Sequence, residues 1–295
     1  IVGPWTHARP TASTTKIAGV DFGPDAGFDS EGLIVRWFQH WMPMPAPGGE
    51  AAARPDWDGA PVRLFLMGEN RWRDEQEWPL ARAQRTNFYL HSARSAVGLE
   101  GDGTLDRTAP GAESADTYAY DPARPVPTGR FGAYSRMPVD RREFQKRPDV
   151  LVYTSAPLTA PLEVTGPVQL VLWISSSAKD TDFTAALSDV QPDGTARALT
   201  DGILRARYRH SKTTPELLAP GSRYELRIDV GATGNVFLPG HRIRLEVSSS
   251  NFPRYDRNPN TGGTFGMDRE TVVAHQTVFH EANAASHLVL PVIPR

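Results

Sequence analysis

Tyr224-Glu225-Leu226-Arg227-Ile228-Asp229-Val230 places Leu226, Ile228 and Val230 on one side of an extended chain and Glu225, Arg227 and Asp229 on the other. A period of two with one wet face is the mark of an antiparallel strand whose second face is buried. His241-Arg242-Ile243-Arg244-Leu245-Glu246-Val247 repeats the pattern. Working outward, strand-like runs fall at 87–91, 149–154, 162–176, 184–190, 198–209, 271–279 and 287–293. Asp193-Gly194, Pro220-Gly221 and Pro239-Gly240 are turn signals between them. The fold class predicted is mostly β, with a jelly-roll β-sandwich over 81–295.

The first eighty residues read differently. Leu33, Ile34, Trp37, Phe38 and Trp41 recur at helical spacing, which predicts a helix over 28–42 with that stripe in the core. Asp29 or Ser30 is placed to cap it and Pro43 to end it. A Pro/Ala/Gly-rich connection over 43–60 leads to a buried strand over 61–68. Loop, helix, loop, strand is the closing unit of an α/β sheet, so 1–80 is read as the last helix–strand portion of an α/β domain. The stretch 92–148 is weakly patterned and is expected to run over the surface.

Thirty-two basic residues stand against thirty-four acidic in 295, which gives no electrostatic case for nucleic acid or an anionic membrane. No run reaches the apolar length of a membrane-spanning helix. Cysteine is absent, removing disulfides, thiolate metal sites and a cysteine nucleophile. The compartment is left open.

Ile1-Val2-Gly3-Pro4-Trp5-Thr6-His7 sets a histidine just past a short apolar run, where an α/β-hydrolase carries its general base. The chain order in that fold is Ser, then Asp or Glu, then His, so a nucleophile and its acid partner are expected upstream of residue 1. The other reading of His7 is a loop histidine making a local hydrogen bond. Trp5 either walls a substrate pocket or packs.

Further segments carry a resemblance. They are Val62-Arg63-Leu64-Phe65-Leu66-Met67-Gly68 with Trp72-Arg73 and Trp78-Pro79, then Tyr120-Asp121-Pro122 with Pro125-Val126-Pro127. Arg147-Pro148-Asp149, Asp180-Thr181-Asp182-Phe183 and Asp201-Gly202-Ile203 with Arg205 and Arg207-Tyr208-Arg209 follow. Gly240-His241-Arg242-Ile243-Arg244 runs on to Ser248-Ser249-Ser250-Asn251-Phe252-Pro253. With Gly3-Pro4-Trp5-Thr6-His7, this ordered series resembles the CocE/NonD family of serine hydrolases, which includes esterases, X-prolyl dipeptidyl peptidases and α-amino-acid ester hydrolases. The resemblance implies the C-terminal half of such an enzyme: the end of the catalytic domain over 1–80 and the jelly roll over 81–295. It implies cleavage of esters or amides through a Ser-His-Asp acyl-enzyme mechanism, with His7 the only triad member present and the isolated chain inactive. It also implies apolar residues after Pro125-Val126-Pro127 at the substrate pocket, here Phe131 and Tyr134.

No metal or organic cofactor is implied. The partners implied are a small-molecule ester or amide and the upstream hydrolase half, with a second copy of the chain as a further candidate and neither nucleic acid nor membrane. Two alternatives stay open: X-prolyl dipeptidyl peptidase activity in the complete protein, and a non-catalytic carbohydrate-binding-like jelly-roll module.

Several other groups have two readings. Asp180, Asp182, Asp189, Asp193 and Asp201 could suggest calcium, but no Asp-x-Asp-x-Asp-Gly loop is present. Arg147, Arg205, Arg207, Arg209 and Arg242 read as an anion clamp or as ion pairs. His275, His280 and His287 have no metal-ligand spacing and read as surface or interface histidines. Trp72 and Trp78 read as domain-junction residues, and 248–260 as a structured polar loop.

Overall fold

The computed structural model describes residues 1–5, 11–17, 19–42, 59–129, 140–264 and 266–295. It divides into two compact units, Ile1–Ala81 and Arg82–Arg295.

The first unit holds β1 (Lys16–Ile17), β2 (Val20–Asp21), α1 (Ser30–Trp41), β3 (Val62–Leu66) and β4 (Arg71–Glu75). Asp29 caps α1, its carboxylate accepting from Gly32 N at 2.9 Å, which satisfies one of the donors a helix start leaves open. β3 and β4 form an antiparallel hairpin. Ile17, Phe22, Ala26 and Phe65 make a small core with Trp5 and Trp72 packed against it. The stripe expected in the core is not there. Trp37 is 45% exposed, Phe38 49% and Trp41 55%, and no residue of α1 is buried. Among the described residues, the strands of this unit are the β3–β4 hairpin with a bridge at Val2 and the short β1–β2 ladder, and none of them buries a residue of α1.

The second unit holds β5 (Gln84–His91), β6 (Thr104–Asp106), β7 (Asp116–Tyr120), α2 (Arg142–Gln145), β8 (Leu151–Thr154), β9 (Leu162–Ser176), β10 (Asp182–Val190), β11 (Ala196–Arg205), β12 (Tyr224–Phe237), β13 (Arg242–Ser248), β14 (Ala274–Glu281), β15 (Ala284–Ala285) and β16 (His287–Ile293). One hydrogen-bonded path runs β11-β10-β13-β8-β6-β5-β16-β9-β14-β15, with β12 on the free edge of β9 and β7 on β14. The path folds over one main core, with a smaller cluster of Val126, Val150 and Val152 beside it. Leu170, Leu172 and Ile174 of β9 meet Leu226, Ile228 and Val230 of β12, Ile243, Leu245 and Val247 of β13, and Leu288 and Leu290 of β16.

Alternation on β12 is as expected, with Arg227 and Asp229 outward. β13 departs from it: Glu246 is buried beside Leu245 and Val247, because Arg141 and Gln145 of the α2 segment cover the outer face of the strand. The path nearly closes where β11 crosses β12. Thr200 Oγ1 donates to Val230 O at 2.6 Å, and a Cβ at Gly202 would stand 1.9 Å from Asp229 O. Only glycine permits that approach.

Candidate functional site

Val2 forms a parallel bridge with Leu64 of β3. Val2 N donates to Arg63 O and Phe65 N to Val2 O, both at 2.9 Å. Two parallel segments joined through α1 make a βαβ-like unit, so the Gly-Pro-Trp turn begins where a strand of a parallel pair ends. Gly3 leaves room for the indole of Trp5, since a Cβ there would lie 2.6 Å from the ring. Trp5 is half-buried, with ring centroids 5.3 Å from Phe28 and 5.5 Å from Trp72. Beside α1 lies a cleft of about 590 Å³, lined by Phe28, Leu33, Trp37, Trp41, Arg63 and Asp74 among others. Trp72 Nε1 donates to Asp25 O at 2.7 Å, and Trp78 is 41% exposed.

His7, Phe131 and Tyr134 lie outside the described residues. Thr128 and Arg141, which bracket 130–139, are bonded: Arg141 Nη1 donates to Thr128 O at 3.0 Å. Thr128 N also donates to Phe252 O at 2.8 Å, and Thr128 Oγ1 to Asn251 O at 2.9 Å.

The aspartates of the second unit are paired one by one. Arg205 forks Asp182 at 2.9 and 3.0 Å. Arg207 Nε donates to Asp180 at 2.8 Å, and Asn258 Nδ2 bridges both carboxylates at 2.8 Å. Burial pushes the Asp182 carboxyl up against the pull of Arg205. Asp189 takes His241 Nδ1 at 2.8 Å, Asp201 takes Asn251 Nδ2 at 2.6 Å and lies 3.2 Å from Arg254, and Asp193 caps the β10–β11 hairpin through Thr195 N. Arg147 likewise grips Asp149 at 2.8 Å. These arginines are spent on ion pairs inside the unit. The polar loop is structured as expected: Ser248 bonds Thr184, Ser249 bonds Tyr118, and Ser250 Oγ accepts from Val126 N.

His280 overturns its expectation. It is fully buried, because β14 turns it inward onto β7. Its Nε2 donates to Asp116 Oδ2 at 2.9 Å and its Nδ1 to Glu113 Oε2 at 3.1 Å. Asp116 also accepts from Ser92 Oγ, Ala96 N and Tyr153 OH at 2.9, 2.7 and 2.7 Å. Burial pushes the Asp116 carboxyl up, but the bonds from His280, Ala96 and Tyr153 outweigh it and hold the group below its usual range. Burial likewise opposes the charged His280, and the bond to and field of Asp116, then Glu113, raise its pKa regardless. Ser92, Asp116 and His280 are not a nucleophilic triad. The serine gives its proton to the aspartate, and His280 Nε2, 3.3 Å from the hydroxyl, is itself a donor to that aspartate and offers the serine no lone pair. The sequence carried no local signal for this cluster, whose members stand at 92, 113, 116, 153 and 280.

Residues 55–289 match the family described as the X-Pro dipeptidyl-peptidase C-terminal non-catalytic domain. The chain belongs to that family. Across its full length it is 46% identical to a cocaine esterase of Rhodococcus sp. (strain MB1 Bresler), of which it covers 51%. Among solved structures, an α-amino acid ester hydrolase shares 28% identity at a TM-score of 0.81, over 99% of this chain and 49% of that one. A CocE/NonD family hydrolase from Staphylococcus aureus, 15% identical, shares the fold at a TM-score of 0.61, over 90% of this chain and 46% of that one. The chain spans about half the length of the curated relatives it matches. The X-Pro dipeptidyl-peptidase C-terminal domain is thus a β-sandwich of CocE/NonD-type hydrolases here, and residues 1–54 precede its match.

Proposed function

We propose that this chain is the C-terminal part of a serine hydrolase that cleaves esters or amides through an acyl-enzyme, with His7 as the triad base. On this reading 1–80 closes the α/β catalytic domain and 81–295 is the jelly roll. The observation that carries it is the parallel bridge of Val2 to Leu64, joined through α1. Loops that leave the carboxyl end of parallel strands are where α/β enzymes place their catalytic groups, and Thr6-His7 follow such an end. The esterase and ester-hydrolase relatives support the reaction class.

His7 would accept the serine proton during attack and return it to the leaving alcohol or amine. Trp5, fixed by Gly3, Phe28 and Trp72, would hold the turn that presents it. Phe131 and Tyr134 would add apolar surface to the acyl or leaving-group pocket. No metal or cofactor enters this chemistry. The test is His7→Ala in the intact hydrolase that contains this chain, read by p-nitrophenyl ester hydrolysis and circular dichroism. A loss of roughly 10⁴-fold or more in kcat with folding unchanged is expected; full activity in the variant would end the assignment.

A further inference from the structure

His280 is one link of a longer hydrogen-bonded chain. Glu113 shares its two oxygens between histidines: Oε2 accepts from His280 Nδ1 at 3.1 Å and Oε1 from His91 Nδ1 at 2.7 Å. The remaining nitrogen of His91 faces Thr108 O at 3.1 Å, with Asp106 Oδ1 at 3.5 Å. A carbonyl and a carboxylate can only accept. His280, which meets a carboxylate at each nitrogen, therefore donates from both, and an imidazole with two N–H groups is the protonated ring. With Glu113 at the partly exposed end, His280 and Asp116 form a neutral pair whose side chains are wholly out of water. An isolated charge there would be expelled or neutralised.

The segment 107–115, between β6 and β7, has no regular structure. Pro110 is buried and Arg107 lies over the Phe88 ring of β5 at 5.3 Å, and three hydrogen-bonded ties fasten the segment to the sandwich: Thr108 O to His91, Glu113 to both histidines, and Gly111 O, which accepts from Ala282 N at 2.9 Å in the β14–β15 turn. Two of the three run through ring nitrogens. We propose that His280, holding Glu113 beside Asp116, latches 107–115 to β14 in acidic and neutral solution and releases it in alkaline solution.

The groups facing the latch are accounted for on each side. β5 and its end bring His91 and Ser92, β6 brings Asp106, β7 brings Asp116 and β8 brings Tyr153, whose ring lies edge-on to His280 at 6.4 Å. β14 adds Glu281, paired with Arg223 at 2.6 Å. Loss of the His280 proton would leave Glu113 and Asp116 facing a ring with one donor for two acceptors. Glu113, whose side chain is 22% exposed against 0% for Asp116, is the carboxylate that water can reclaim, so the segment leaves at that end. The sign follows from linkage. A histidine whose pKa is raised by folding gives its full stabilisation below about 6.5, its unfolded value, and loses it as pH climbs through the folded value. Asp116, held low, gives its share above about 3.8 and loses it as pH falls.

The experiment uses the whole chain, labelled with ¹⁵N-histidine, and long-range ¹H–¹⁵N correlation of the rings at pH 6. Both nitrogens of His280 are expected to carry protons, and a single neutral tautomer at that ring would overturn the latch. The second measurement is hydrogen exchange from pH 6 to pH 9, corrected for intrinsic rates. The protection factor of the Ala282 amide is expected to fall at least about fivefold while that of Ile228 on β12 holds within about twofold. In Glu113→Gln the Ala282 amide is expected to be weakly protected at both pH values. Equal protection of Ala282 across the range in the parent chain would refute the release.

Discussion

Glu246→Ala is expected to be among the costliest single substitutions in the sandwich. The carboxylate and the Arg141 guanidinium are each only 6% exposed. Glu246 Oε1 accepts from Arg141 Nε at 3.0 Å and from Nη2, and Oε2 accepts from Gln145 Nε2 at 2.8 Å. Truncation leaves the guanidinium over the Phe144 ring at 4.8 Å with Thr128 O still accepting from it, and Gln145 Nε2 loses its carboxylate acceptor. Breaking a buried pair from one side costs about 3–5 kcal/mol, and an unsatisfied amide donor adds to that only in part because the two share one site. We take about 4 kcal/mol. With a denaturant slope of about 3 kcal/mol/M, the urea midpoint falls by about 1.3 M. Arg141→Met combined with Glu246→Leu removes both charges and is expected to lie within about 2 kcal/mol of the parent. The assay is urea unfolding by far-UV circular dichroism, with hydrogen exchange on the β13 peptide to show that the transition belongs to the sandwich. A single variant within about 1 kcal/mol of the parent, or a double variant worse than the single one, would refute the reasoning.

Gly202→Ala should destabilise the sandwich by about 1–3 kcal/mol, since its Cβ would meet Asp229 O at 1.9 Å; an unshifted thermal midpoint would show that β11 can move away from β12 at no cost. Trp37→Ser with Trp41→Ser should change unfolding free energy by no more than about 0.5 kcal/mol, because both rings are about half exposed, while light scattering should report less self-association. A large loss of stability there would mean the stripe is covered after all.

The β architecture was legible because period-two patterning is local. Strand β9 was read at its observed limits, Leu162–Ser176, and β13 within a residue of its own, while β12 was read only to Val230 and runs on to Phe237. β7 escaped because its inward positions are Asp116, Tyr118 and Tyr120, a polar and aromatic set that does not stand out against its surroundings. β6 escaped because three residues hold no period. Helix α1 was found from its apolar spacing, but spacing reports which side is apolar and says nothing about what lies against it.

What the sequence determined by itself was the element type, the wet and dry faces of the long strands, and the ordered tags that place the chain among CocE/NonD-type hydrolases. What only the tertiary structure decided was which charges meet. His280 reads as one polar residue on an edge, and it becomes the centre of a buried ion chain because β14 lies against β7 and a loop brings Glu113 across. Patterning is set by neighbours along the chain, whereas the pairing of charges separated by more than a hundred residues is set by strand order.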